Sequence, residues 1–496
     1  MTGPARPPAP YGGPYRAPGA YGPPAPPGPY QMPPGYPAGR PYPPAPGPHG
    51  PFYGQAPPPV RFSEGVHRLH WATGPLRTFV ILAVYFVLLG LPLLLARDDD
   101  GVVLAITPES VARFLVVTIP MTGIAVGVGL WTWLALRFRV DGDDLVVETG
   151  LLRKRTRRIP LSRVQAIDVV RPLVTRLFAL AEVRVELAGG EQSEIALRYL
   201  GRNTAQQLRA ELLARAAGLP GHTPEAPERP LWRVSGGALF GSLVLRLPVL
   251  GTALLLLLSL VLLVLYAELG MLAVAIPALL GLVRAVVAPL VMYSAFTVAT
   301  SPDGIRLRYG LLETRMQTVP PGRVQAISIV EPSLWRSFGW ARLDVTVAGY
   351  AGERQALSSV LLPVAPRQVA VHLVAQVFPG ANVDAVQLLP ASSKGLAGGT
   401  AGAGTDDHVF VTRHGFLCRR TDVIAHARAQ SVRLTVNPLQ RLLGLATVHI
   451  DAPPGPVRVA AADRDLGEAR AIVESTARRA QAARAVDGDP GRWAAR

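Results

Sequence analysis

Four runs of apolar residues constrain this 496-residue chain more than any other feature. They are Thr78–Ala96, Phe114–Leu136, Leu247–Ala267 and Leu269–Val291, the last interrupted by Arg284. Each is long enough to cross ~30 Å of hydrocarbon as a helix, which takes about 20 residues. A surface helix of a soluble domain keeps a polar face. These runs are apolar on every side, so they predict transmembrane helices.

The runs form two hairpins, 76–136 and 239–295. The first turns through an acidic connection that includes Asp98, Asp99 and Asp100, and the second turns around Glu268–Gly270. Arg68 and Arg77 precede the first helix, whereas Arg137, Arg139 and the run from Arg153 to Arg158 follow the second. Basic loops stay on the cytoplasmic side, which predicts a multi-pass protein with both termini and every large segment in the cytoplasm. The net charge of +16 and the pI near 10.6 then follow from topology. No basic-aromatic platform or helix-turn-helix pattern argues for nucleic acid as a partner. The single Cys418 excludes an intramolecular disulfide and fits a reducing compartment.

Two details sit inside the apolar runs. Arg284 lies within snorkelling reach of its helix end, although a charge at membrane depth also raises a functional site. Gly123 and Gly127 form a GxxxG step, which predicts close helix packing. Residues 1–60 hold 23 of the 49 prolines and no acidic residue. That composition predicts a disordered, partly polyproline tail, either a spacer or a docking segment.

The five residues RVQAI occur twice, at Arg163–Ile167 and Arg323–Ile327. The similarity extends without a gap over Gly150–Gly190 and Gly310–Tyr350, aligning Gly150 with Gly310, Pro172 with Pro332 and Arg176 with Arg336. A diverged third copy runs from Gly415 to Gly455, with Arg428 and Gln430 in place of Arg163 and Gln165. Such self-similarity marks a repeated structural unit. Each copy alternates like a strand, turns at its glycine and alternates again, then closes on an amphipathic helix. An α+β or strand-barrel-plus-helix module follows.

This pattern resembles the bacterial pleckstrin-homology-like (PH-like) domains of YdbS/YdbT-type membrane proteins. The residues that carry the resemblance are the GLL…T openings (Gly150–Thr156, Gly310–Thr314), the RVQAI segments and the RxFGxARLDV stretch, Arg336–Val345. The resemblance implies a bent antiparallel sheet capped by a C-terminal helix, and a role at the bacterial cell envelope. The third copy departs from it, with Asn437 where the others have proline. The expected organisation is a tail, 1–60; a hairpin; a PH-like module, 137–217; a linker, 218–238; the second hairpin; a module, 296–380; a linker, 381–405; a third module, 406–485; and a tail, 486–496.

The repeat-defining residues Gly150, Arg163, Gln165, Gly310, Arg323, Gln325, Gly415, Arg428 and Gln430 are expected to be structural, with the glycines supplying positive-φ turns. No catalytic motif is present, so no enzyme, cofactor or metal is expected. His408, His414, Cys418, His426 and His449 match no zinc spacing. The best candidate site is the cluster Arg153, Lys154, Arg155, Arg157 and Arg158. It would either attract anionic lipid, at ~1 kcal/mol per residue, or serve only to set topology. The expected function is a binding or scaffolding component at the membrane that engages a protein partner, itself or anionic lipid. The alternative is a transporter or lipid-handling protein that uses Arg284.

Overall fold

The structure, a computed structural model, describes residues 62, 65–98, 101–104, 107–150, 153–187, 194–216, 220–221, 223, 227–302, 304–348 and 359–487. The tail 1–60 lies outside the described residues.

Module 1 opens with a two-residue strand, β1 (His67–Arg68). The chain then leaves as the first membrane hairpin: helix α1 (Thr73–Gly90), a turn of β2 (Leu95–Asp98) and β3 (Gly101–Leu104), and helix α2 (Pro108–Ala135). The helical path starts at Thr73, before its apolar run, and ends short of the run's last residues, because Leu95 and Ala96 pair across the turn with Leu104 and Val103. On return, β4 (Leu136–Asp141) pairs with β1, and β5 (Asp144–Thr149) and β6 (Arg155–Pro160) complete a four-stranded sheet. A second set, β7 (Val164–Pro172), β8 (Leu180–Leu187) and β9 (Glu194–Gly201), is capped by helix α3 (Arg202–Ala216).

Module 2 repeats this plan. Strand β10 (Arg229–Arg233) precedes the second hairpin, helices α4 (Leu247–Tyr266) and α5 (Leu269–Met292), and pairs beyond it with β11 (Thr297–Ser301). Then come β12 (Gly304–Tyr309), β13 (Glu313–Val319), β14 (Val324–Pro332), β15 (Trp340–Val347), β16 (Val360–Pro366) and helix α6 (Arg367–Val377). Module 3 opens with β17 (Leu389–Pro390), where a short loop replaces the hairpin before β18 (Gly402–Thr405). It continues as β19 (Val409–His414), β20 (Cys418–Ala425), β21 (Ser431–Thr435), β22 (Leu445–Asp451), β23 (Val459–Asp465) and helix α7 (Leu466–Asp487).

The segments expected as linkers therefore carry the first strands of modules 2 and 3. Each membrane hairpin is an insertion after the first strand of its module. A strand of two to five residues whose partner lies beyond a hairpin leaves no local signal in sequence.

The modules are joined by backbone ladders. β13 pairs with β7 of the preceding module, and β20 pairs with β14, giving two seven-stranded sheets. Both junctions share one register. Glu313, three residues after Gly310, faces Pro172, and Cys418, three after Gly415, faces Pro332. This explains RVQAI. Val164 and Ile167 pack into their own module's core, as do Val324 and Ile327, while Ala166 enters the core of module 2 and Ala326 that of module 3. A small side chain is needed there because another module closes over it. The shared arginines also reach across: Arg176 donates to the Leu311 carbonyl at 3.2 Å, and Arg336 to the Phe416 carbonyl at 3.3 Å. In module 3 the counterparts, Ser431 and Arg441, are both exposed.

Close packing in the first hairpin falls elsewhere than expected. A Cβ on Gly123 or Gly127 would meet nothing within 4 Å, so that step faces away from the partner helix. The close approach is Gly74 against Gly129, where a Cβ on Gly129 would lie 2.6 Å from the Gly74 carbonyl oxygen. Thr78 supports it by donating to the Ala125 carbonyl at 3.2 Å.

Candidate functional site

The three glycine turns place one edge of the arm beside the membrane helices. Gly150, Gly310 and Gly415 have φ of 97°, 107° and 90°. A Cβ there would come within 2.3, 1.9 and 2.2 Å of the carbonyl oxygen three residues on, so only glycine fits. The Gly150 amide donates to Ala135 at 2.9 Å, Gly310 to Ser294 at 2.8 Å and Leu311 to Val291 at 3.0 Å. Ala135 and Val291 are the ends of membrane helices. The turn tips along this edge carry exposed apolar side chains, among them Leu311, Leu312, Phe338, Leu417 and Phe416, the last 74% exposed.

At the second junction this edge opens into a pocket of about 450 Å³. Three elements meet there: the start of α4 (Arg246, Leu247, Pro248), the end of β14 with its turn and β15 (Val330, Pro332, Trp335, Arg342, Asp344), and module 3 (Leu417, Cys418, Arg420). Trp335 is 1% exposed and donates its indole N–H to the Ser242 carbonyl at 2.9 Å, which fixes the ring. The Arg246 guanidinium lies over that ring, 5.8 Å from its centroid, a cation–π contact. Arg342 donates to Asp344 at 2.6 Å.

The electrostatics are unbalanced. Three guanidiniums face one carboxylate, and among the described residues no carboxylate lies within salt-bridge distance of Arg246 or Arg420. Burial, and then the charge of Arg342, lower the Arg246 pKa. Burial works against the charge of Arg342 as well, but Asp344 outweighs it and the pKa rises. Burial likewise pushes up the phenol of Tyr293, beside Arg342. All three guanidiniums are half-buried, and Asp344 is the carboxylate among the lining residues.

None of Arg153, Lys154, Arg155, Arg157 and Arg158 lines the pocket; all five are exposed, from the turn after Gly150 along β6. The repeat-defining polar residues do not converge with it either. Gln325 donates to the Arg323 carbonyl at 3.1 Å, whereas Arg163 and Gln430 are exposed, and Arg428 is half-buried beside Arg323. The environment of the Gln165 side chain lies outside the described residues. Arg284 sits on the exposed surface of α5. Among the described residues no three His, Cys, Asp or Glu side chains converge to hold a metal ion. The pocket arginines escaped sequence reasoning because they come from three separated elements. The one legible trace was Arg342-x-Asp344, a charged pair on the same face of an alternating strand.

A first strand, followed in modules 1 and 2 by an inserted membrane hairpin, then two sheets and a capping helix define the repeating unit, and this chain belongs to the bacterial PH domain family, which it matches over residues 78–216, 245–381 and 369–480. The first match begins within α1 and the second two residues before α4, so hairpin and module recur together. The chain is similar to the UPF0699 transmembrane protein YdbT of Bacillus subtilis (strain 168), with 22% identity over 283 residues. That alignment covers 50% of this chain and 57% of the relative, so the chain spans little more than half of the relative's length.

Proposed function

We propose that this protein is a membrane-anchored binding and scaffolding component of the cell envelope, not an enzyme, whose cytoplasmic arm of PH-like modules holds the phosphate of an anionic headgroup. The observation that carries this reading is the group Arg246, Arg342 and Arg420 around one carboxylate, at the base of the third membrane helix. The exposed apolar tips on the same edge support it, since Phe416 and Leu417 of the hairpin-free module 3 stand where module 2 contacts its helix end. Shallow insertion of such side chains holds a domain at the bilayer surface.

The test uses the full-length protein in nanodiscs of neutral lipid with and without phosphatidylglycerol, reading retained lipid by native mass spectrometry. Each arginine near an anionic surface contributes ~1 kcal/mol. An Arg246→Ala/Arg420→Ala variant is therefore expected to lose roughly 30-fold in retention of the anionic lipid, with neutral lipid unchanged. Equal retention by the variant and the parent would remove the pocket from the proposal.

A further inference from the structure

Strand β6 holds in module 1 the place that β13 and β20 hold in modules 2 and 3, counting from Gly150, Gly310 and Gly415. β13 is covered by β7 and β20 by β14, yet β6 ends its sheet. The side chains record the difference. Seven residues past the glycine, Gln317 and Asp422 are 2% and 1% exposed, while Arg157 is exposed. At the next position Thr318 and Val423 are buried and Arg158 is exposed. Among the described residues no strand pairs with the edge of β6 that its successors use for joining.

We propose that the β6 edge is a docking site for one strand of a PH-like module on a separate protein, a strand with acidic side chains facing Lys154 and Arg158. An unpaired edge offers main-chain donors and acceptors to an added strand. The chain makes this same joint twice, in one register, so the geometry of a third is already specified. Charge identifies the occupant. At the second junction Arg419 is held by Glu331 directly opposite, at 2.9 and 3.1 Å. Lys154, one residue before β6, occupies the position of Arg419 counted from the glycine, so an acid at the position of Glu331 would meet it.

A second copy of this chain fits poorly. Its free strand of the corresponding type is β21, and the shared register, in which Asp422 faces Ser328, would set Arg433 opposite Arg157. Like charges directly opposed across a ladder are destabilising. Ser431 would also stand where Ala166 and Ala326 pack. The edge is therefore matched to another protein, and this assignment does not depend on the arginine pocket.

The experiment places a photo-crosslinking amino acid at Thr156 in the full-length protein, irradiates it in its native membrane and maps the adduct by mass spectrometry. The same residue at Met316, which faces Val169 of β7, is the internal standard and gives an adduct within the chain. The expected product at Thr156 is an intermolecular adduct to a PH-like module strand, at the residue corresponding to Val169. Lys154→Glu/Arg158→Glu should cut its yield about tenfold, the scale of two lost cross-strand charge pairs, with the Met316 adduct unchanged as evidence of folding. An adduct at Leu434 of a second copy, adducts to lipid alone, or no intermolecular adduct beside a normal Met316 product would each overturn the proposal.

Discussion

Substituting Ala326→Leu tests the account of RVQAI most directly. Ala326 is 0% exposed, lies between Thr346 of β15 and Ile424 of β20, and belongs to a cluster with Phe410 and Ala429 of module 3. A leucine adds three carbons to a site that has another module as its wall, and overpacking of this kind costs about 1–3 kcal/mol. The cost falls on the joint between modules 2 and 3, since the side chain points out of its own module. Hydrogen exchange on the full-length protein in detergent is therefore the assay. Amides of β20 should lose roughly 5- to 150-fold in protection, while those of β8 keep theirs. The matching change Ser431→Leu, at the exposed counterpart, should shift protection by no more than ~0.5 kcal/mol. Equal effects at 326 and 431, or loss spread evenly over all three modules, would refute the idea that this alanine marks a joint.

Other consequences can be measured on the same preparation. Gly310→Ala forces a Cβ against the Glu313 carbonyl at positive φ and should cost at least the roughly 1–3 kcal/mol of such strain, whereas Gly142→Ala, with φ of 59° but open space around it, should cost less in thermal unfolding. His426, 1% exposed, lies 3.0 Å from the Asp406 carbonyl, and burial lowers its pKa. Its neutral form is thus favoured in the folded state, so its contribution to stability is complete above the unfolded value of about 6.5 and is lost as pH falls below it. A Tm–pH profile should show that decline, and His426→Gln should remove it. Arg284→Ala, on the exposed surface of its helix, should leave Tm and anionic-lipid retention unchanged, and a loss of retention would revive a role for the membrane helices in handling lipid.

The membrane helices were legible in the sequence because apolar length is a property of composition: the run Leu247–Ala267 became a helix over Leu247–Tyr266. The repeat was legible for a similar reason, since turn glycines and core valines are dictated locally. The joints were not. The partner of β13 is β7, more than a hundred residues earlier and beyond a membrane hairpin, and no local pattern announces a pairing of that kind. One clue was present in Ala166 and Ala326, retained where the third copy has Ser431, but a small residue in an alternating strand can equally face its own core. Of the candidate site, the basic run Arg153–Arg158 was visible as a charge cluster. The pocket was not, because Arg246, Arg342 and Arg420 meet only once the second joint has closed.

The insertion of each hairpin after a single strand also governs the order of events during synthesis. Thr297 emerges 64 residues after Arg233, its antiparallel partner, a delay of roughly 3 to 13 s at bacterial elongation rates. Throughout that interval β10 has no ladder to join, and both membrane helices are made before one exists. Delivery to the bilayer is thereby committed ahead of sheet closure.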